Sequence, residues 1–167
     1  YNGTFRGKAS QALQTTKKAV RRLESEGIEV VNTLTIHEVA LTLGEDTCAY
    51  CGEEIPEQER TLDHIVPMKY GGGNTFENIT MACSTCNSVK NDLPLVTYMV
   101  REQTEAEIVL KLFEHMATRG KKTFDEIFEQ MAEDARTYYA IKTEEAIEKA
   151  RQQAEEGQTG EGEEMTS

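Results

Sequence analysis

The reactive side chains of this sequence are concentrated between Cys48 and Lys90. Two Cys-x2-Cys pairs, Cys48/Cys51 and Cys83/Cys86, bracket an Asp63-His64 dipeptide, and Asn78, Asn87 and Lys90 complete the set. Each pair puts two thiols on one tight turn, and two such turns make a tetrahedral four-sulfur site of the kind that holds structural zinc. Two disulfides or a redox pair would use the same cysteines, but a reducing setting favours metal. A site with four protein ligands has no open position, so this zinc is expected to brace rather than to catalyse.

Asp63 offers a hard oxygen, and with an amide oxygen from Asn87 it suits Mg2+ or Mn2+ rather than zinc. His64, with an ordinary pKa near 6.5, can take a proton from water at neutral pH. Together they supply the parts for metal-assisted hydrolysis of a phosphodiester. Lys90 lies three residues after Asn87, on the same helix face, where it can stabilise phosphate charge.

These residues need a scaffold, and the sequence between the cysteine pairs supplies one. Thr61 to Pro67 and Asn78 to Met81 have strand character, joined through the turn-rich Gly71-Gly72-Gly73-Asn74. A short helix is predicted from Ser84 to Asp92, stopped before Pro94. The order strand, loop, strand, helix sets Asp63 and His64 on the first strand opposite Asn87 on the helix.

This stretch resembles the HNH nuclease family, also called ββα-metal or His-Me finger nucleases, in its four-cysteine zinc-containing form. The matching text is C-A-Y-C, L-D-H-I-V-P, G-G-G-N, E-N-I and C-S-T-C-N-S-V-K, about 45 of the 167 residues. The resemblance implies that Asp63 and Asn87 hold the catalytic divalent metal, that His64 is the general base and that Asn78 holds the His-bearing loop. It further implies that Lys90 faces the scissile phosphate, that Cys48, Cys51, Cys83 and Cys86 bind zinc, and that DNA is cut to a 3′-hydroxyl and a 5′-phosphate. Asn87 stands where many members carry the last His of the family name, which leaves the preferred catalytic metal open.

The flanks set the rest of the expectation. Residues 1–47 form an N-terminal helical region, 48–94 the nuclease unit, 95–156 a C-terminal helical region and 157–167 a disordered acidic tail. The fold class is α+β: a small zinc-braced ββα unit surrounded by helices. A helix is predicted from Lys8 to about Glu24, and capping boxes (Thr35/Glu38, Thr104/Glu107, Thr123/Glu126) open three more, the last two forming an α-hairpin. Thr143 opens a final helix with a thin apolar line. Ile28 to Val31 reads as a short strand or an extended linker.

The net charge of −12 weighs against nucleic acid as a partner, but its distribution does not. Residues 1–22 carry Arg6, Lys8, Lys17, Lys18, Arg21 and Arg22 and no acid, whereas residues 101–167 hold 17 acids against 9 bases. Lys17, Lys18, Arg21, Arg22 and Lys69 are therefore the candidate nucleic-acid contacts, and DNA the expected partner. No apolar run reaches membrane-span length and no signal peptide opens the chain, so a cytoplasmic location without membrane contact is expected. A start at Tyr1 reads as a trimmed product or a piece of a longer protein. Two other readings use the same residues: a zinc-braced binding module, or a nuclease subunit that needs a protein partner docked through the C-terminal helices.

Overall fold

A computed structural model describes residues 2–160. The elements are α1 (Asn2–Ser25), α2 (Ile36–Leu43), β1 (Arg60–His64), β2 (Ile79–Cys83), α3 (Ser84–Lys90), α4 (Leu95–Glu102), α5 (Ala106–Gly120) and α6 (Phe124–Gly160). β1 and β2 pair antiparallel with Asp63 opposite Thr80 and His64 opposite Ile79, and α3 leaves directly from the end of β2. The class is thus α+β, with a two-stranded sheet and a short helix at the centre and longer helices around them.

Local chemistry explains where most elements stop. α1 buries Ala9, Val20 and Leu23 and ends at Gly27, whose φ of 83° lets Ile28 N–H reach Leu23 O at 2.9 Å. The Thr35/Glu38 box opens α2, and the Thr123/Glu126 box opens α6. Between β1 and β2 the chain makes a compact loop. A Cβ on Gly72 would sit 1.9 Å from Val66 O, so only glycine lets the loop close on itself.

The core lies where this unit meets the helices. Ile65, Ile79, Met81, Leu95, Leu112, Met116, Ile127 and Met131 are almost fully buried, each contributing roughly 1.5–3 kcal/mol. Arg119 of α5 braces the outer edge: it donates to Thr42 Oγ1 and Ile79 O, pairs with Glu45 and stacks over Phe76. His115 of the same helix bonds Ile79 O at 2.9 Å, and His37 is exposed in the first turn of α2.

The helical flank departs from the sequence expectation in three places. Thr104 does not cap α5, because its N–H is already bound to Met99 O in the turn that closes α4. The helices expected on either side of Thr143 are one continuous helix, since Thr143 Oγ1 bonds back to Tyr139 O and no Gly or Pro interrupts the run before residue 157. That helix also continues through residues 157–160, expected to be disordered; residues 161–167 of the acidic tail lie outside the described residues. Of the two readings of Ile28 to Val31, the structure has the linker and not the strand, with Asn32 making a single bridge to Asn74. Among the described residues, no helix is long and apolar enough to cross a membrane.

One buried group on α6 leaves a testable mark. Asp134 is 3% exposed, and neither of its carboxylate oxygens has a hydrogen-bond partner. Burial pushes its carboxyl up to about 7, with the charge of Lys90 pulling the other way. The folded protein therefore keeps a proton that the unfolded chain releases near pH 4, and stability falls as pH rises from about 4 to about 7. Asp134→Asn has no such proton to lose. Thermal melts are expected to favour the variant over the wild type more at pH 8 than at pH 5; an equal difference at both would contradict this.

Candidate active site and four-thiol cluster

Four sulfurs meet at the junction of β2 with α3. Sγ atoms of Cys48, Cys51, Cys83 and Cys86 all lie within 4.8 Å of one another, and none is in a disulfide. Zn–S bonds of about 2.3 Å in a tetrahedron separate sulfurs by about 3.8 Å, so the cluster needs only a small contraction to close on a cation. Backbone N–H groups already point at the sulfurs: Cys83 N–H at Cys48 Sγ and Cys86 N–H at Cys83 Sγ, both at 3.4 Å. Burial pushes the Cys51 and Cys86 thiols up, with nearby sulfurs adding to it. Burial acts the same way on Cys48, but N–H donation from Cys83, Tyr50 and Cys51 holds that thiol down. Donor set, spacing and N–H environment fit a structural metal.

At the end of β1, Asp63 and His64 are held by separate networks. Asp63 is 8% exposed; its Oδ2 accepts from the Tyr50 hydroxyl and lies 3.1 Å from Lys90 Nζ. Its Oδ1 has no hydrogen-bond partner among the described residues. Asn87 Nδ2 donates to Thr61 Oγ1 at 3.0 Å, and that hydroxyl donates in turn to Ala82 O at 2.8 Å. The amide nitrogen of Asn87 is thereby committed, and its oxygen is the end left to act as a ligand. A carboxylate oxygen and an amide oxygen, each oriented through its partner atom, are hard donors suited to Mg2+ or Mn2+.

His64 is oriented from a distance. Asn74 is fully buried, and its Nδ2 donates to Asn32 Oδ1 at 2.8 Å, which turns its Oδ1 toward His64 Nε2 at 3.0 Å. An acceptor at Nε2 requires the proton there, leaving Nδ1 as the basic nitrogen. Burial holds His64 below the ordinary histidine value; the Asn74 bond and the Asp63 charge oppose this, while Lys90 adds to it. The ring is half-buried, as a base that must meet water requires.

Asn78 is 2% exposed and ties the loop that follows His64. It accepts from Val66 N–H at 2.8 Å and donates to Val66 O at 2.9 Å and Gly73 O at 2.7 Å. Its own backbone O takes Ile65 N–H at 2.8 Å.

Two of the sequence expectations meet different surroundings. Lys90 is fully buried; its Nζ donates to His64 O at 2.8 Å and pairs with Asp63 beside the Tyr50 ring. It pins the end of β1. Lys69 is paired with Glu145 of α6 at 3.2 Å, with both side chains exposed. Lys17, Lys18, Arg21 and Arg22 stand on α1, the last 3.8 Å from Glu26, and only Lys17 is half-buried. Tyr50, Thr61, Asn74 and Asn32 entered the site unannounced; only the C-A-Y-C and G-G-G-N texts marked the neighbourhoods of Tyr50 and Asn74.

The family model for the HNH endonuclease matches residues 48–94. Residues 48–94 are an HNH endonuclease domain. The chain is also 35% identical, over 68 residues, to the CRISPR-associated endonuclease Cas9 of Corynebacterium diphtheriae. That match takes in 40% of this chain but 6% of the relative, so the chain spans a small part of the relative's length. Among solved structures, the Type II-C Cas9 enzyme from Actinomyces naeslundii aligns over 79% of this chain and 14% of its own, at 18% identity and a TM-score of 0.36. Within the HNH domain, α3 supplies Asn87, β1 supplies Asp63 and His64, and the four-thiol cluster joins the start of the domain to the junction of β2 with α3.

Proposed function

We propose that this chain hydrolyses DNA phosphodiester bonds, with His64 as general base and Asp63 and Asn87 as ligands of a divalent metal. The observation that carries the reading is the tautomer lock. Asn32 fixes Asn74, and Asn74 fixes the His64 ring with its lone pair at Nδ1, next in sequence to a carboxylate with one free oxygen. Nδ1 takes the proton of the attacking water, and Asn74 Oδ1 steadies the imidazolium that forms. Asp63 and Asn87 hold the metal, which when bound supplies charge for the phosphate and the leaving oxygen. Lys90 and Tyr50 keep Asp63 in place. Asn78 keeps the loop beyond His64 from shifting the ring. The four cysteines hold structural zinc and do no chemistry. The resemblance to a CRISPR-associated endonuclease supports a role in defence, in which DNA is the substrate.

Incubation of the full chain with supercoiled plasmid and Mg2+ or Mn2+ is expected to give nicked or linear product, and chelation of the added metal to stop it. A chain loaded with one zinc that leaves the plasmid intact under both metals would overturn the proposal in favour of a binding module.

A further inference from the structure

The HNH domain has a groove on its N-terminal side, and the α1 wall of that groove lies outside the family match. One wall is α1, through Lys8, Gln11 and Thr15; the other is β1, through Arg60, Thr61 and Leu62, and the space between is about 300 Å³. The groove ends against the candidate metal site, because Thr61 is the residue that orients the Asn87 amide. Its two cations are placed without being neutralised. Lys8 Nζ donates to Glu57 O, and Arg60 donates through Nε to Ile55 O at 3.0 Å and through Nη1 to Leu43 O at 3.4 Å. Neither has a carboxylate within ion-pair distance among the described residues. Lysine has three donors and arginine five, so each keeps N–H groups for a further acceptor.

The groove also has a continuation. At the helical repeat, Lys8, Gln11, Thr15, Lys18 and Arg22 share one face of α1, beside the buried stripe of Ala9, Thr16, Val20 and Leu23. Lys17 and Arg21 fall on the opposite flank of that stripe. The basic residues of α1 therefore divide into two sets, and only one runs out of the groove. Spaced cations and neutral hydrogen-bonding side chains above an apolar floor are what a sugar–phosphate backbone needs, since phosphates take the charge and sugars the floor.

We propose that the groove between α1 and β1 seats the sugar–phosphate backbone of DNA next to the scissile bond, and that Lys18 and Arg22 extend the track along α1. This rests on the nuclease reading and adds to it a binding surface and a direction of approach. It assigns the DNA track to Lys8, Lys18, Arg22 and Arg60.

The test is DNA binding measured apart from cleavage, by fluorescence anisotropy of a short labelled duplex on the full chain in a His64→Ala background. Lys18→Ala with Arg22→Ala is compared with Lys17→Ala with Arg21→Ala, which removes the same charge from the same helix. The first pair is expected to weaken binding about tenfold and to lower the log–log salt slope by about 2, the second pair to do distinctly less. Gln11→Glu, at an exposed position, puts a carboxylate in the groove and is expected to weaken binding by a similar factor with an unchanged melting temperature. Equal losses from the two pairs, or groove variants that bind like their parent while the wild type cuts plasmid, overturn the track and leave the nuclease standing. A wild type that neither binds nor cuts removes both.

Discussion

His64→Ala is expected to lower the rate of plasmid cleavage by about 10^2 to 10^4, the range a positioned general base supplies, with the fold and the metal content unchanged. The ring is half-buried and makes one side-chain hydrogen bond, to Asn74, so removing it leaves no more than that amide oxygen to rehydrate. The pH profile carries the sharper signature. Because burial holds His64 below the ordinary histidine value, the basic form dominates at neutral pH, and activity should be flat near pH 7 and fall only below pH 6.5. A cation at Asp63 would push the same group further in the same direction. Single-turnover rates from pH 5 to 8 check this. A rate still climbing through pH 7 to 8 with the chemical step limiting would mean that another group, or a metal-bound water, sets the profile. An Ala variant that cuts at the wild-type rate would remove His64 from the chemistry.

How much of this could be seen in the sequence depends on the range of the interaction. The β1–β2–α3 order was legible because each boundary has a local cause: glycines in the loop, a cysteine pair at the strand–helix junction, Pro94 after the helix. The α-hairpin was legible from periodicity, yet its outer helix was cut in two at Thr143. A threonine that bonds back to the carbonyl four residues earlier looks, in sequence, like one that caps. Thr104 failed for a related reason: the residue that would cap α5 is already spent closing α4. The site itself was half legible. Asp63, His64, Asn78 and Asn87 stand in a recognisable text, whereas the Asn32–Asn74–His64 relay spans 42 residues between its first two members and has no repeat to reveal it. Lys90 is read from sequence as a helix-face neighbour of Asn87, and its depth of burial has no local signal. Its burial is tolerated because Asp63 and the His64 carbonyl both meet the ammonium.

Loss of one thiol should have consequences for the whole domain. Cys83→Ser is expected to abolish tight zinc binding, lower stability by at least about 3 kcal/mol and drop the melting temperature by about 10 °C. Structural zinc sites in small domains carry folding energy outright, and few other contacts do the work of this one. The cluster ties the Cys48–Cys51 turn to the start of α3 across more than thirty residues of sequence. Cys83 is both the last residue of β2 and the cap of α3, where its Sγ accepts Cys86 N–H. Asn87 follows Cys86 directly, so a loosened first turn of α3 misplaces the amide whose nitrogen must stay on Thr61 for its oxygen to serve as a ligand. Cleavage should therefore fall with zinc even though no sulfur touches substrate. Metal analysis, thermal melts and plasmid cleavage on the same preparations separate the causes. The wild type should carry one zinc per chain, released with a loss of melting temperature on strong chelation and restored on adding zinc back. A Cys83→Ser protein that melts like the wild type and still cuts would mean that packing of Tyr50, Tyr98 and Ile55 alone holds the two halves of the domain together.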